Sequence, residues 1–114
     1  MNRRYNYARE KLFSAIETLA TLSGDVRSRL FAAYSAFHPL REDDFPDELK
    51  EDWRWIERSL TKFGPIYNYK GEVVVGSVEK TLKRIRNRTG EKIARRLFHL
   101  FYELHFNKKY FNNL

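Results

Sequence analysis

Apolar and polar positions follow a helical period along most of the chain. Tyr5, Ala8, Leu12, Ala15, Ile16, Leu19 and Leu22 fall on one stripe, and their spacing predicts a helix over residues 4–22 that stops before Gly24. Asp25 stands where an N-cap belongs. Val26, Leu30, Ala33, Tyr34 and Phe37 form the next stripe, and His38-Pro39 ends it. HPLREDDFP reads as a loop. Beyond it Pro46 suits a first helical position, and Asp47 and Glu48 suit the positive end of a helix dipole. Leu49, Trp53, Ile56, Leu60 and Phe63 then recur at spacings of four, three, four and three, which predicts a third helix over 46–63 closed by Gly64-Pro65.

The period changes between residues 64 and 77, where IYNY and EVVV flank Lys70-Gly71, the pattern of a short β-hairpin or an ordered loop. Ser77 is placed to cap a fourth helix over 78–88 with Val78, Leu82 and Ile85 inward. Thr89-Gly90 should break the run, and a fifth helix over 91–106 turns Ile93, Leu97, Leu100 and Leu104 inward. The expected fold is all-α, a single domain over 1–114 built as a bundle of four to five helices. Its parts include a short hairpin or ordered loop at 64–77, basic C-terminal helices over 77–106 and a short basic, aromatic tail over 107–114. Phe13, Phe31, Trp55 and Phe98 lie off the main stripes. Such residues either touch a second neighbour within the bundle or form a surface for a dimer or another partner.

Composition narrows the chemistry. The chain has no cysteine, which excludes disulfides, thiol catalysis and thiolate zinc sites. No apolar run approaches the roughly 20 residues needed to span a bilayer, and MNRRYNYAREK lacks an apolar stretch after its basic pair. A soluble, cytoplasmic protein with no membrane partner is the expectation. Aromatic residues make up 16% of the chain, with three prolines and five glycines, as befits a packed protein rather than a disordered one.

Charge is distributed by region. Residues 42–57 hold eight acidic and two basic side chains, whereas residues 77–114 hold ten basic and three acidic ones, a surplus equal to the whole formal net charge of +7. On a helical wheel Lys80, Lys83, Arg84 and Asn87 oppose the Val78-Leu82-Ile85 stripe. The fifth helix carries Arg95, His99, Tyr102 and Phe106 away from its core side, at spacings of four, three and four. Guanidinium groups neutralise phosphates and stack on bases, and Tyr or Phe rings supply stacking that tolerates any sequence. Lys108 and Lys109 in the KKYF tail that runs to Phe111, together with Arg3-Arg4, add the same chemistry. The bland alternative is that these faces are merely solvated, or are neutralised by the acidic EDDFPDELKED segment at 42–52.

Familiar catalytic and recognition motifs do not fit. EKIARRL resembles the opening of a helix-turn-helix, but FHLFYEL follows it without a turn glycine, and using Gly90 as the turn residue places Arg86, Glu91 and Arg96 at unsuitable positions. Asp44 with Glu48, Asp47 with Glu51 and Glu48 with Asp52 lie one turn apart and have the chemistry for Mg²⁺ or Ca²⁺, although acidic residues gather in first helical turns for electrostatic reasons alone. His99 and His105 are six residues apart, far round the helix from one another, so they are not a metal pair. His99 with Glu103 has the spacing of a base and an orienting carboxylate, which is also that of an exposed ion pair. The Arg-to-His spacing of helical ribonucleases of the HEPN type, GxSxG, Walker A and dinucleotide fingerprints are all missing. No catalytic residue, metal or cofactor is implied.

The segments YAREKLFSAIETLA, GDVRSRLFAAYSAFHPL and DDFPDELKEDWRWIERSLT together resemble a group of small uncharacterised bacterial helical proteins over residues 5–61. The resemblance carries caps and core stripes, and implies no activity or site. The expected function is therefore non-enzymatic: binding of a polyanion, nucleic acid foremost, through Lys80, Lys83, Arg84, Asn87, Arg95, His99, Tyr102, Lys108 and Lys109. The alternative is a regulator such as an immunity protein, antitoxin or accessory subunit. It would meet an acidic protein partner, or a second copy in a homodimer, through Trp55, Phe98 and Phe106.

Overall fold

A computed structural model of the chain describes residues 4–110; Arg3 and Phe111 lie outside the described residues. Among the described residues five α-helices form the body: α1 (Asn6–Thr21), α2 (Val26–Phe37), α3 (Asp47–Leu60), α4 (Ser77–Arg84) and α5 (Asn87–Phe106). Short 3₁₀ turns at Glu42–Asp44 and Lys108–Tyr110 precede α3 and follow α5. The fold is all-α, as the periodicity indicates. No described helix is long and apolar enough to cross a membrane.

α5 is the organising element, packing against α1, α2 and α3, while α4 rests on α2 and α3. Leu12, Ala15, Leu30, Ala33, Ile56, Ile93, Leu97, Leu100 and Leu104 are wholly buried between these helices. The stripes read from the sequence thus supply most of the core, but Leu22, beyond the end of α1, is exposed, and Ile16, Tyr34 and Phe63 are only partly buried. Trp53 is buried against Phe45 in a stacked pair at 5.0 Å and meets Phe37 edge-on at 6.1 Å. Phe45, in the segment expected to be a loop, therefore contributes to the core. Asp25 caps α2 by accepting the Ser28 N–H at 3.1 Å.

The hairpin alternative for 64–77 holds. β1 (Ile66–Tyr67) pairs antiparallel with β2 (Val73–Val75), Ile66 opposite Val75 and Tyr67 opposite Val73. The turn is closed by Gly71 N–H donating to Asn68 O at 3.0 Å, and Gly71 sits at φ 81°, where a side chain would be strained.

Several boundaries differ from expectation, each for a physical reason. α3 starts at Asp47, with Pro46 as an extended N-cap rather than the first helical residue, and ends at Leu60. Phe63 lies beyond it, held where Thr81 Oγ1 accepts the Phe63 N–H and donates to the Phe63 carbonyl, both at 3.0 Å. That buried hydroxyl pins the loop to α4. Gly76, not Ser77, is the residue before α4. The break between the last two helices falls at Ile85-Arg86, both extended, and not at Thr89-Gly90. Ile85 turns its side chain into the core, and its freed carbonyl accepts from Arg27 at 2.9 Å. Gly90 instead lies inside α5 at the crossing with α2. A Cβ there would come within 2.9 Å of a Val26 methyl, so the missing side chain lets two helices approach.

Candidate nucleic-acid interface

The acidic segment decides how much of the basic C-terminal surface is left for a partner, and most of it is spent locally. Asp47 pairs with Lys50 at 2.9 Å, Glu51 with Arg54 at 3.0 Å and with Arg58 at 3.2 Å, and Glu42 with Arg54 at 2.9 Å. Hydrogen bonding from Lys50 holds the Asp47 carboxyl below its usual range, and bonds from Arg58 and Arg54 do the same for Glu51. Lys50 and Arg54 are pushed up in turn, by Asp47 and Glu42 foremost. Asp44 accepts the Arg41 backbone N–H at 2.7 Å. Among the described residues only two bridges from this segment reach the C-terminal region: Asp52 to Arg96 at 3.0 Å and Glu48 to Lys109 at 3.5 Å. Glu48 also accepts from the Tyr110 hydroxyl at 3.1 Å. Every carboxylate pair considered for a divalent cation has at least one member held by these bonds. Among the described residues no three His, Asp or Glu side chains converge as metal ligands.

With the acidic segment so occupied, Lys80, Arg86, Arg88, Lys92, Arg95 and Lys108 form no ion pair among the described residues. Arg88, Lys92, Arg95 and His99 recur at spacings of four, three and four on the exposed side of α5, along about 16 Å of helix at 1.5 Å per residue. Beneath this ridge α3 and α5 leave an open groove of about 510 Å³ lined by Asp52, Trp55, Lys92, Arg95, Arg96 and His99. The Arg96 guanidinium lies 4.3 Å over the Trp55 ring, and Asp52 fixes it from the side. An oriented guanidinium, a half-buried indole and two further cations thus line one concave surface.

Structure and expectation divide the proposed residues into groups. Arg95, His99 and Trp55 come together in the groove. Lys80 is half-buried on α4, Lys83 is bound to Glu79 at 3.0 Å, and Arg84 is drawn onto the Phe63 ring at 4.6 Å, so the α4 face is the more self-satisfied of the two. Asn87 lines a second groove with Arg95 and Phe98, on the α1 and α2 side of α5. Lys109 is engaged by Glu48, while Lys108 is exposed beside it. Tyr102 and Phe106 are exposed, but they pack with Phe98 and Phe101 into an aromatic cluster that Phe13 extends. Basic and aromatic groups on α5 are therefore separated into two ends rather than alternating. Of the off-stripe residues, Phe13, Phe31 and Phe98 are about half exposed and Trp55 is covered by Arg96.

Arg88, Lys92 and Arg96 escaped the sequence reading. The first two could have been found from their spacing with Arg95 and His99, but the contact between Arg96 and Trp55 joins two helices and leaves no local signature. No protein-family model matches the chain, and no curated protein or solved structure matches it significantly.

Proposed function

We propose that the chain is a non-enzymatic, cytoplasmic helical protein that binds nucleic acid as a polyanion along the exposed ridge of α5 and the α3–α5 groove. The observation that carries this reading is the groove itself: Lys92, Arg95, Arg96 and His99 converge beside Trp55, and one local carboxylate, Asp52, opposes them. Backbone phosphates would lie along Arg88, Lys92 and Arg95, and Arg96 with Trp55 would offer a flat surface at the groove floor. Contacts of this kind are weakly sequence-specific and strongly salt-dependent. Fluorescence anisotropy with labelled single-stranded and duplex DNA and RNA tests the reading directly. Retention at about 50 mM salt that collapses as salt rises supports it, and no binding of any of the four at that salt refutes it.

A second reading rests on the aromatic cluster at the other end of α5, where Phe98, Tyr102 and Phe106 are exposed together. Such a surface suits a protein partner, either a second copy or an acidic protein that also engages the basic groove. Charge reversal in the groove separates the two: the first reading loses nucleic-acid retention, the second a co-purifying acidic protein.

A further inference from the structure

The α1–α5 face has the shape of half of a two-fold interface. α1 runs antiparallel to α5, as its contacts record: Arg9 meets Leu104, and Phe13 meets Phe101. Phe98 stands near the middle of the face. On its C-terminal side Tyr102 and Phe106 project, packed ring to ring at 4.9 Å. On its N-terminal side lies a groove of about 770 Å³ whose apolar walls include Ile16, Ala20 and Ala94. Projection and hollow are thus arranged on opposite sides of one central ring.

We infer that a second copy of the chain docks here, with α5 crossing α5 antiparallel about a two-fold axis through Phe98. In that register position 98 faces itself and position 94 faces position 102, so the projecting Tyr102 of each copy enters the hollow that Ala94 leaves in the other. An isologous interface requires this self-complementarity. Phe13, Phe98, Tyr102 and Phe106 are 52%, 48%, 50% and 58% exposed. At about 200 Å² per aromatic side chain they present roughly 400 Å² of apolar surface. The exposed groove lining adds a little more, so each copy offers roughly 500 Å², a small interface of about 1,000 Å² in total, and aromatic rings are the side chains that dominate such contacts. Arg95 lines this hollow as well as the α3–α5 groove, whereas Trp55, Lys92, Arg96 and His99 do not line it, and the oligomeric state is read separately from nucleic-acid binding.

The test uses the full chain, treated with nuclease and held at roughly 0.5 M salt so that bridging by nucleic acid is screened out. Light scattering coupled to size exclusion should give twice the 13.8 kDa chain mass, and Phe98→Asp should give a monomer with an unchanged circular dichroism spectrum. The chain has no cysteine, so Phe98→Cys should cross-link to a dimer on oxidation. It should do so roughly a hundredfold faster than Lys83→Cys, because apposition raises the effective thiol concentration from about ten micromolar to about one millimolar. A mixture of Ala94→Cys and Tyr102→Cys chains should cross-link to each other by the same register. A wild-type monomer at about 100 µM would overturn the inference. So would a Phe98→Asp dimer, or equal cross-linking of Phe98→Cys and Lys83→Cys.

Discussion

Arg9 is the charged residue on which the end of α5 depends. It is 5% exposed; its Nε donates to the Leu104 carbonyl at 3.0 Å and one terminal nitrogen to the Tyr110 carbonyl at 2.6 Å. Leu104 lies in the last turn of α5, where carbonyls lack helical partners. Arg9→Met keeps most of the stem but removes the donors, leaving two buried carbonyls unbonded. Hydrogen bonds to a charged donor contribute about 1.5–3 kcal/mol each. Burial also holds the Arg9 pKa below its ordinary value, so removing the guanidinium recovers part of its desolvation cost. The net loss is expected to be about 3 kcal/mol, a large share of the 5–15 kcal/mol typical of a domain. Urea unfolding followed by circular dichroism should show it as a midpoint lowered by about 2 M, taking a slope near 1.5 kcal/mol/M. Arg9→Lys, which keeps the charge but cannot bond both carbonyls at once, should fall between. A loss under about 1 kcal/mol for Arg9→Met would refute the clamp.

Thr81→Val keeps the shape of a buried side chain but strands both polar groups of Phe63; thermal unfolding should reveal a loss of about 2 kcal/mol, and an unchanged midpoint would show that water replaces the hydroxyl. Gly90→Ala gains about 1 kcal/mol of helix propensity but presses a Cβ to 2.9 Å from the stiff Val26 side chain. Overpacking costs about 1–3 kcal/mol, so chemical denaturation should register a small net destabilisation, whereas stabilisation would mean the crossing has slack. Tyr110 is pushed up to about 12, first by burial and then by its bond to Glu48. Because the folded state holds this proton more tightly, its contribution to stability is complete below about pH 10 and is lost as pH rises towards 12. Absorbance titration should find one tyrosinate forming late, and Tyr110→Phe should remove that step while flattening the alkaline fall in stability.

The helices were legible because each buries one stripe, and an apolar stripe at the helical period records burial directly. Where the reading slipped, a tertiary contact outweighed a local signal. Gly90 reads as a breaker because glycine is a poor helix former, yet α5 keeps it inside the helix since α2 needs the space. Arg9 carries no local signal of its role, since its partners are backbone carbonyls 95 and 101 residues away. The groove was half legible. Arg95 and His99 share a helix face and can be placed by counting, whereas Trp55, Asp52 and Arg96 meet only through the packing of α3 on α5. The acidic segment shows the same limit. Its composition suggests a lid over the basic surface, but geometry directs Glu42, Asp43, Asp47 and Glu51 to Lys50, Arg54 and Arg58 nearby.

The most direct test of the proposed interface is the salt dependence of nucleic-acid affinity in wild type and in charge-reversed α5. If four of the six cations that form no ion pair among the described residues, Arg86, Arg88, Lys92 and Arg95, each meet a phosphate, affinity should fall about 50- to 150-fold between 50 and 200 mM salt, the larger value for duplex. Lys92→Glu with Arg95→Glu should abolish binding at 50 mM salt and leave the fold intact, while Lys83→Glu, already paired to Glu79, should change affinity little. Undiminished binding in the Lys92 and Arg95 double variant, or a fall with salt of less than about threefold, would contradict the interface.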